Sequence, residues 1–517
     1  MNFKTRTSTI AMALFAALAI PVQLAAQNNR PRDHKYHHYQ LIDLGTFGGP
    51  NSGVNFEPFQ NVINSNGTVV GGADTSMPTP EPNCYNPFGN PDCFITHAFT
   101  STGNALKDLG TLPGGNFSFA SAINQGGLIS GLSENNQIDP VTGNPEFHAV
   151  LWQDDHILDL GTLGGVSSFA EDLNNRGQVT GVALNDVPDP YSLLGLGSQT
   201  TLTQTHGFLW KHGRMRDLGT LGGPDSWAVY VNDQGQVAGT SYTSFVIDPL
   251  TTNPPTPPVG VFLWENGRMK DLGNLGGDNA LVFGGAYGIV SGLNNRGQVT
   301  GNMEVAGNQS EHAFLWDGEK LLDLSTLGGN FSFAEGINDA GEVVGVSTLA
   351  GDQSNDGFLW RNGVMTDLGT LGGDPCSAAL SVNSRGQVLG ASESVAGGCN
   401  EWTTALLWED GGPSVDLNSL VPSGSGVDLT FALWANDRGE IVAGGISPSC
   451  EISAPCGHAY VLIPCDENHP DVEGCDYSLV ESAQSSVPRN ITGEGQRPLR
   501  SQRPRRSHST DLLSLSR

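Results

Sequence analysis

The sequence predicts an all-β fold, an eight-bladed β-propeller of four-stranded blades, and three observations predict it. One phrase of residues recurs eight times in fixed order. Each copy breaks into short apolar runs separated by Gly and Asn turns. The first copy opens on the last strand of a unit, and the last copy stops after three strands. Periods of about 40–60 residues with four strands each suit propeller blades.

The composition fits this reading. Gly makes up 69 of the 517 residues, and charged residues are 15%, against a norm of about 25%. The chain is longer than one ordinary domain, a limit that repeats escape because each unit packs only on its neighbours.

The clearest copy runs His312-Ala313-Phe314-Leu315-Trp316, Leu322-Asp323-Leu324, Leu327-Gly328-Gly329, Phe333-Ala334, Ile337-Asn338, Gly341 and Val343-Val344-Gly345. Its Asp-Leu step starts at Asp43, Asp108, Asp159, Asp217, Asp271, Asp323, Asp367 and Asp416. The Asn-x-x-Gly step starts at Asn64, Asn124, Asn174, Asn232, Asn294, Asn338, Asn383 and Asn436. The aromatic step holds Phe99, Trp152, Trp210, Trp264, Trp316, Trp360, Trp408 and Tyr460.

Within a unit, Ser332 to Asn338 reads as the first strand and Gly341 to Gly345 as the second. The Asn-x-x-Gly between them is a tight turn, since Asn and Gly tolerate positive φ. His-Ala-Phe-Leu-Trp is the third strand. Turns such as Asn266-Gly267 lead to the fourth, which carries Asp-Leu-Gly. Residues Gln40 to Leu44 are a fourth strand without its unit, and the chain's last strand, through His458-Ala459-Tyr460-Val461, is a third. Together they complete one blade. The N-terminal strand joining the C-terminal blade would close the ring and remove exposed edges. Seven blades with one unit packed outside is the alternative.

The phrases His-Ala-Phe-Leu-Trp, Asp-Leu-Gly-Thr-Leu-Gly-Gly and Asn-Asp-x-Gly resemble the HAF-repeat family of predicted extracellular bacterial proteins, over residues 39 to about 465. The resemblance implies secretion and repeats, and no activity. Departures are local: Gly260, Asp356 and Thr404 replace the His, and Pro113 interrupts one Leu-Gly-Gly.

Residues 1–26 read as a signal peptide, with Lys4 and Arg6, an apolar run from Ile10 to Ile20, and Leu24-Ala25-Ala26 before the cut. Residues 27–38 read as a linker, where His34, His37 and His38 form a weak cluster. The propeller spans 39–465, and 466–517 is a tail tied by a disulfide and then basic and disordered. The expected location is secreted or extracellular, in the periplasm or on the cell surface, as a monomer without a membrane span. Eight cysteines suit export. Their spacing suggests Cys84 with Cys93, Cys376 with Cys399, Cys450 with Cys456, and Cys465 with Cys475.

A net charge of −29 disfavours nucleic acid, whose binding requires Lys and Arg to neutralise phosphate. No nucleophile elbow, phosphate loop or zinc-protease motif occurs. Length variation concentrates between second and third strands of the first four units, roughly Asp74–Thr96, Ser133–Phe147, Leu184–Thr205 and Ser241–Val259. These inserts predict a raised rim with Tyr85, Phe88, Tyr191, Tyr242 and Phe245 as ligand-binding aromatics.

The recurring His97, His148, His206, His312 and His458 spread one per blade, too far apart to share a metal, and pairing with the repeated Asp is the expectation. No cofactor is expected, although Asp352-x-Ser354-x-Asp356-Gly357 matches the start of a calcium loop, without its closing Glu. The function expected is an exported binding or scaffold module for carbohydrate or an extracellular protein. The alternatives are an extracellular polysaccharide hydrolase or lyase and a purely structural surface protein.

Overall fold

The computed structural model describes residues 35–54, 61–79, 93–103, 105–189, 203–245, 258–277, 290–307, 309–393, 399, 402–409, 412–448 and 457–482. The expected signal peptide and the arginine-rich tail lie outside them. Among the described residues no helix is long and apolar enough to cross a membrane.

The structure is all-β, built of four-stranded antiparallel sheets, an arrangement consistent with a β-propeller. One sheet illustrates the unit. Strand a is Ser118–Ile123, b is Ile129–Ile138, c is Pro145–Gln153 and d is His156–Asp159, hydrogen-bonded in that order. The sequence explains each part. In a neighbouring unit, strand a bulges between Ala170 and Asp172. A Cβ on Gly181 of the facing b strand would lie 2.0 Å from the Phe169 carbonyl, so the Gly of the Gly-x-Val-x-Gly run is required. In strand c the repeated Phe99, Phe208, Phe262, Phe314 and Phe358 are wholly buried. The tryptophans after them pack between sheets, as where Trp408 joins Val344 of the preceding unit in one apolar cluster.

Two kinds of polar latch join neighbouring units. At one end, the turn Asn folds its own loop and reaches outward. Asn174 Oδ1 accepts from the amides of Arg176 and Gln178 at 3.0 Å, while its Nδ2 donates to the Asn232 carbonyl at 2.8 Å. The series of donors runs Asn64, Asn124, Asn174, Asn232, Asn294, Asn338, Asn383 and Asn436, and Asn436 donates to the carbonyl of Asn64. At the other end, Ser118 accepts from the Ala98 amide at 2.9 Å and donates to the Gly110 carbonyl at 2.8 Å, both in the preceding unit. Ser168, Ser226, Ser332 and Ser377 repeat this latch.

The fourth strand of the last sheet comes from the start of the chain. Tyr39–Asp43 pairs antiparallel with His458–Pro464. Cys465 follows at once and is bonded to Cys475. Cys376 is bonded to Cys399, as the spacing suggested. Cys93 is also in a disulfide, while Cys84, Cys450 and Cys456 lie outside the described residues. The linker reading needs correction at its end. Lys35–His37 is a strand, paired with Val480–Ser482, so both flanks of the repeat region are folded against each other. Backbone pairing here outweighs a polar composition that alone suggests a linker.

The Asn latch predicts a stability effect. Asn294→Ala removes the bond to the Asn338 carbonyl, a bond to Gln298 and two turn bonds, at a buried position. A loss of about 2–3 kcal/mol is expected, read as a lower urea midpoint with unchanged β-sheet circular dichroism.

Candidate functional site

The b–c connections and the d–a loops share one edge of every sheet, and the Ser latch sets these edges side by side. The d–a loop is fixed by its motif. Each repeated Asp accepts the amide two residues on, at 2.7–2.8 Å, from Gly45 in the first loop to Asn418 in the last. The Gly-Gly pair then serves two needs. Gly164 holds φ at 113°, and a Cβ on Gly165 would lie 2.5 Å from the Leu184 side chain.

The same Asp faces strand c. His97, His148, His206, His312 and His458 place Nδ1 within 2.8–3.0 Å of Asp108, Asp159, Asp217, Asp323 and Asp43. Burial alone would raise these carboxyls. The bonds from the His and from the loop amide outweigh it and hold all five below the usual range. The five pairs stand one per sheet, so they do not converge on a ligand. Burial pushes the His206 imidazole down, but Asp217 outweighs that and raises it.

Where the His is replaced, the chemistry changes. Asp356 puts a second carboxyl against Asp367, and burial together with that neighbour pushes Asp356 up to about 6. The pair therefore takes up a proton as the pH falls through about 6. A second acidic group lies beside His206. Asp225 is wholly buried, accepts the Thr205 amide at 2.8 Å, and is pushed up to about 7 by burial and by the charge of Asp189. The Thr205 amide and the charge of His206 oppose this rise and do not cancel it.

The inserts of the first three units begin as prolonged hairpins. Their b strands are Val69–Pro78, Ile129–Ile138 and Val179–Pro188, each of 10 residues, against 6 in Val299–Glu304 or Ile441–Ile446. The extensions carry large apolar side chains into solvent: Met77 at 53% exposure, Ile138 at 58%, Val187 at 44%, and in the fourth unit Phe245 at 67%. Val141, in the loop beyond Ile138, is 60% exposed.

Of the aromatics expected at this rim, Phe245 is at the surface. Tyr242 is not: it is 2% exposed and sits in the apolar core with Trp227 and Val259. It ends strand b at the position that packs beneath its own Gly-Gly loop, where Leu184 lies in the preceding unit. Tyr85, Phe88 and Tyr191 lie outside the described residues. The aliphatic Met77, Ile138, Val141 and Val187 were missed because aromatics were taken as the contact signal.

The calcium-like stretch is used locally. The Asp352 carboxylate takes the Asn330 amide at 2.7 Å and the Thr348 hydroxyl at 2.7 Å, and Asp356 turns toward Asp367. Among the described residues no three His, Cys, Asp or Glu side chains are grouped to hold a metal.

No family model matches the chain, and no curated protein matches it. Solved structures do. The β-propeller domain of the trilobed protease of Pyrococcus furiosus is 10% identical, over 74% of this chain and 98% of that one, with a TM-score of 0.40. Porphyromonas gingivalis dipeptidyl peptidase 4 is 10% identical over 76% of this chain, which spans 58% of that peptidase, with a TM-score of 0.45. Oligogalacturonate lyase from Vibrio parahaemolyticus is 7% identical, over 84% of this chain and 96% of that one, with a TM-score of 0.37. All three scores fall below 0.5, and no statement about activity follows from them.

The buried acids predict a pH dependence. A folded-state carboxyl raised above its unfolded value adds stability below the unfolded pKa, and that stability is lost as pH rises through the folded one. For Asp225 the window runs from about 4 to about 7. Asp225→Asn is therefore expected to flatten the loss of stability across that window, by roughly 4 kcal/mol, in urea titrations at stepped pH. Asp356→His restores the repeated pair with Asp367, and a gain of about 1 kcal/mol at pH 7 is expected after allowing for solvent screening.

Proposed function

We propose that the chain is an exported binding or scaffold protein on a closed ring of eight blades, which takes carbohydrate or an extracellular protein on its insert-bearing face. The ring reading draws support from the series of Asn bonds that returns to its first member. The pairing of Tyr39–Asp43 with His458–Pro464 supports it too, as does the disulfide just beyond. Export is supported by the charged and apolar start of the sequence, by the disulfides and by the resemblance to HAF-repeat proteins.

One observation carries the binding reading. Four consecutive units expose a large apolar side chain near the far end of strand b or just beyond it: Met77, Ile138, Val187 and Phe245. Scattered apolar residues are ordinary on a surface, but their recurrence in four consecutive units, three of them on prolonged strands, favours a contact surface. The hydrolase reading lacks such an observation. Asp356 and Asp367 are hydrogen-bonded to each other, whereas a glycosidase pair stands roughly 5–9.5 Å apart.

A glycan and polysaccharide array with the purified protein, read for binding and for released reducing sugar, tests this. Binding without release is expected, with affinity at least tenfold lower in an Ile138→Ser, Val187→Ser, Phe245→Ser variant of unchanged melting temperature. Release of sugar would overturn the binding-only reading. Full binding by the variant would remove the rim from it.

A further inference from the structure

The two ends of the sheets differ in charge. Every Lys and Arg between residues 39 and 465 belongs to the end that holds the a–b turns and the c–d hairpins. Arg176, Arg296, Arg385 and Arg438 sit in the turns. Lys211, Arg214 and Arg268 flank the hairpins. Cations on d strands send their heads the same way: Lys107 to Asp155, Arg216 over Trp264 at 5.0 Å, Lys270 over Trp316 at 4.1 Å.

The b–c connections and d–a loops contain no Lys or Arg at all. What they present is carboxylate. The repeated Asp side chains of five units are 39–44% exposed at the loop entrances, although each has a His beside it. Asp271 faces Gly260 instead of a His, and Asp367 faces another carboxyl. Asp186 is exposed on the third hairpin, next to Val187. This face is therefore an anionic surface with an apolar row beside it.

One segment of the same chain complements both features. Residues 488–517 carry Arg489, Arg497, Arg500, Arg503, Arg505, Arg506 and Arg517 against Glu494 and Asp511, and they include Leu512, Leu513 and Leu515. The last described strand ends at Ser482. The residues beyond it, fully extended, span roughly 120 Å, enough to cross from one end of a sheet to the other. Tethering keeps the local concentration high, on the order of millimolar for short flexible linkers. At the opposite end the carboxylates are interspersed with cations and partly paired with them, as Lys107 is with Asp155 and Arg361 with Glu342, so it offers the segment less free negative charge.

We propose that the arginine-rich C-terminal segment docks in cis on the cation-free face. Its guanidinium groups sit on the exposed Asp carboxylates, and its leucines lie on the row of Met77, Ile138, Val187 and Phe245. This rests on reading that face as a binding face, and it names a first occupant that any outside ligand must displace.

Trypsin tests it on the untouched chain. Cleavage after Arg489, Arg500 and Arg506, followed by mass spectrometry, is compared with a free peptide of residues 483–517. At low salt the chain is expected to be cut at least tenfold more slowly than the peptide. Near 1 M salt, where screening acts over about 3 Å, the rates should converge. Cleavage at the peptide's rate in low salt overturns the proposal.

Two variants locate the contact. Asp186→Asn, Asp271→Asn, Asp367→Asn together should restore fast cleavage, and Asp155→Asn, Glu265→Gln, Glu319→Gln at the other end should not. The reverse result overturns the assignment, and so does protection that grows with protein concentration, which would mean docking on a second copy. A blank glycan array with a salt-released tail sinks the carbohydrate reading and leaves this one standing. Glycan binding with an unprotected tail does the opposite.

Discussion

The hydrogen bond from each turn Asn to the carbonyl of the next turn Asn is the constraint on which the arrangement depends. Its two side-chain ends do different work. Oδ1 closes the local turn by accepting two amides, and Nδ2 satisfies a carbonyl in the neighbouring sheet. At Asn294 the residue is 4% exposed, so a partner lost there leaves a polar group without water to replace it. Neither Gln nor Asp can substitute. Gln is one methylene too long for the turn, and Asp has no donor. Sheets joined this way keep one orientation, which places all b–c and d–a connections on the same side.

That sidedness lets the two ends of the sheets diverge. The a–b end is spent on latches, in which Asn, Gln and Glu side chains are buried and mutually bonded, as Asn338 is with Glu342. The opposite end uses short Asp and Thr turns that hold the backbone by local bonds, such as Thr162 to the Gly165 carbonyl. Loops stabilised within themselves tolerate insertion between strands b and c, because the cost of lengthening a loop grows slowly. Insertions therefore accumulate there in the first four units, and the exposed apolar residues accumulate with them.

The His–Asp pair shows how a repeat is modified without being lost. The Asp also holds the d–a loop through the amide two residues on, so it is retained where the His is not. Gly260 removes the imidazole, and Leu221 and Thr243 close over the position: a Cβ there would lie 2.9 Å from each. Asp356 replaces it with a second carboxyl, whose ionisation burial and Asp367 oppose. These exchanges leave the backbone unchanged and raise the negative charge of the face.

Much of the fold was legible in the sequence. Repetition exposes which residues the backbone requires: Asn174 for its turn, Gly181 for its bulge, Gly165 for close approach, Asp159 and His148 for their pair. Each follows from local geometry repeated along the chain, and the partners of Cys376 and Cys465 followed from their spacing. The candidate site was legible only in outline. The inserts lie at the end of the sheets where Met77, Ile138 and Val187 are exposed, but burial of Tyr242 and exposure of Ile138 depend on how far strand b continues past its Gly before it leaves the sheet. The pairing of Lys35–His37 with Val480–Ser482 joins residues at opposite ends of the chain. Nothing in a local pattern specifies such a contact. The sequence by itself determined the repeating unit, because short-range sterics and hydrogen bonds dictate it. Tertiary structure decided which side chains face solvent and which carboxyls meet, because those outcomes depend on neighbours distant in the chain.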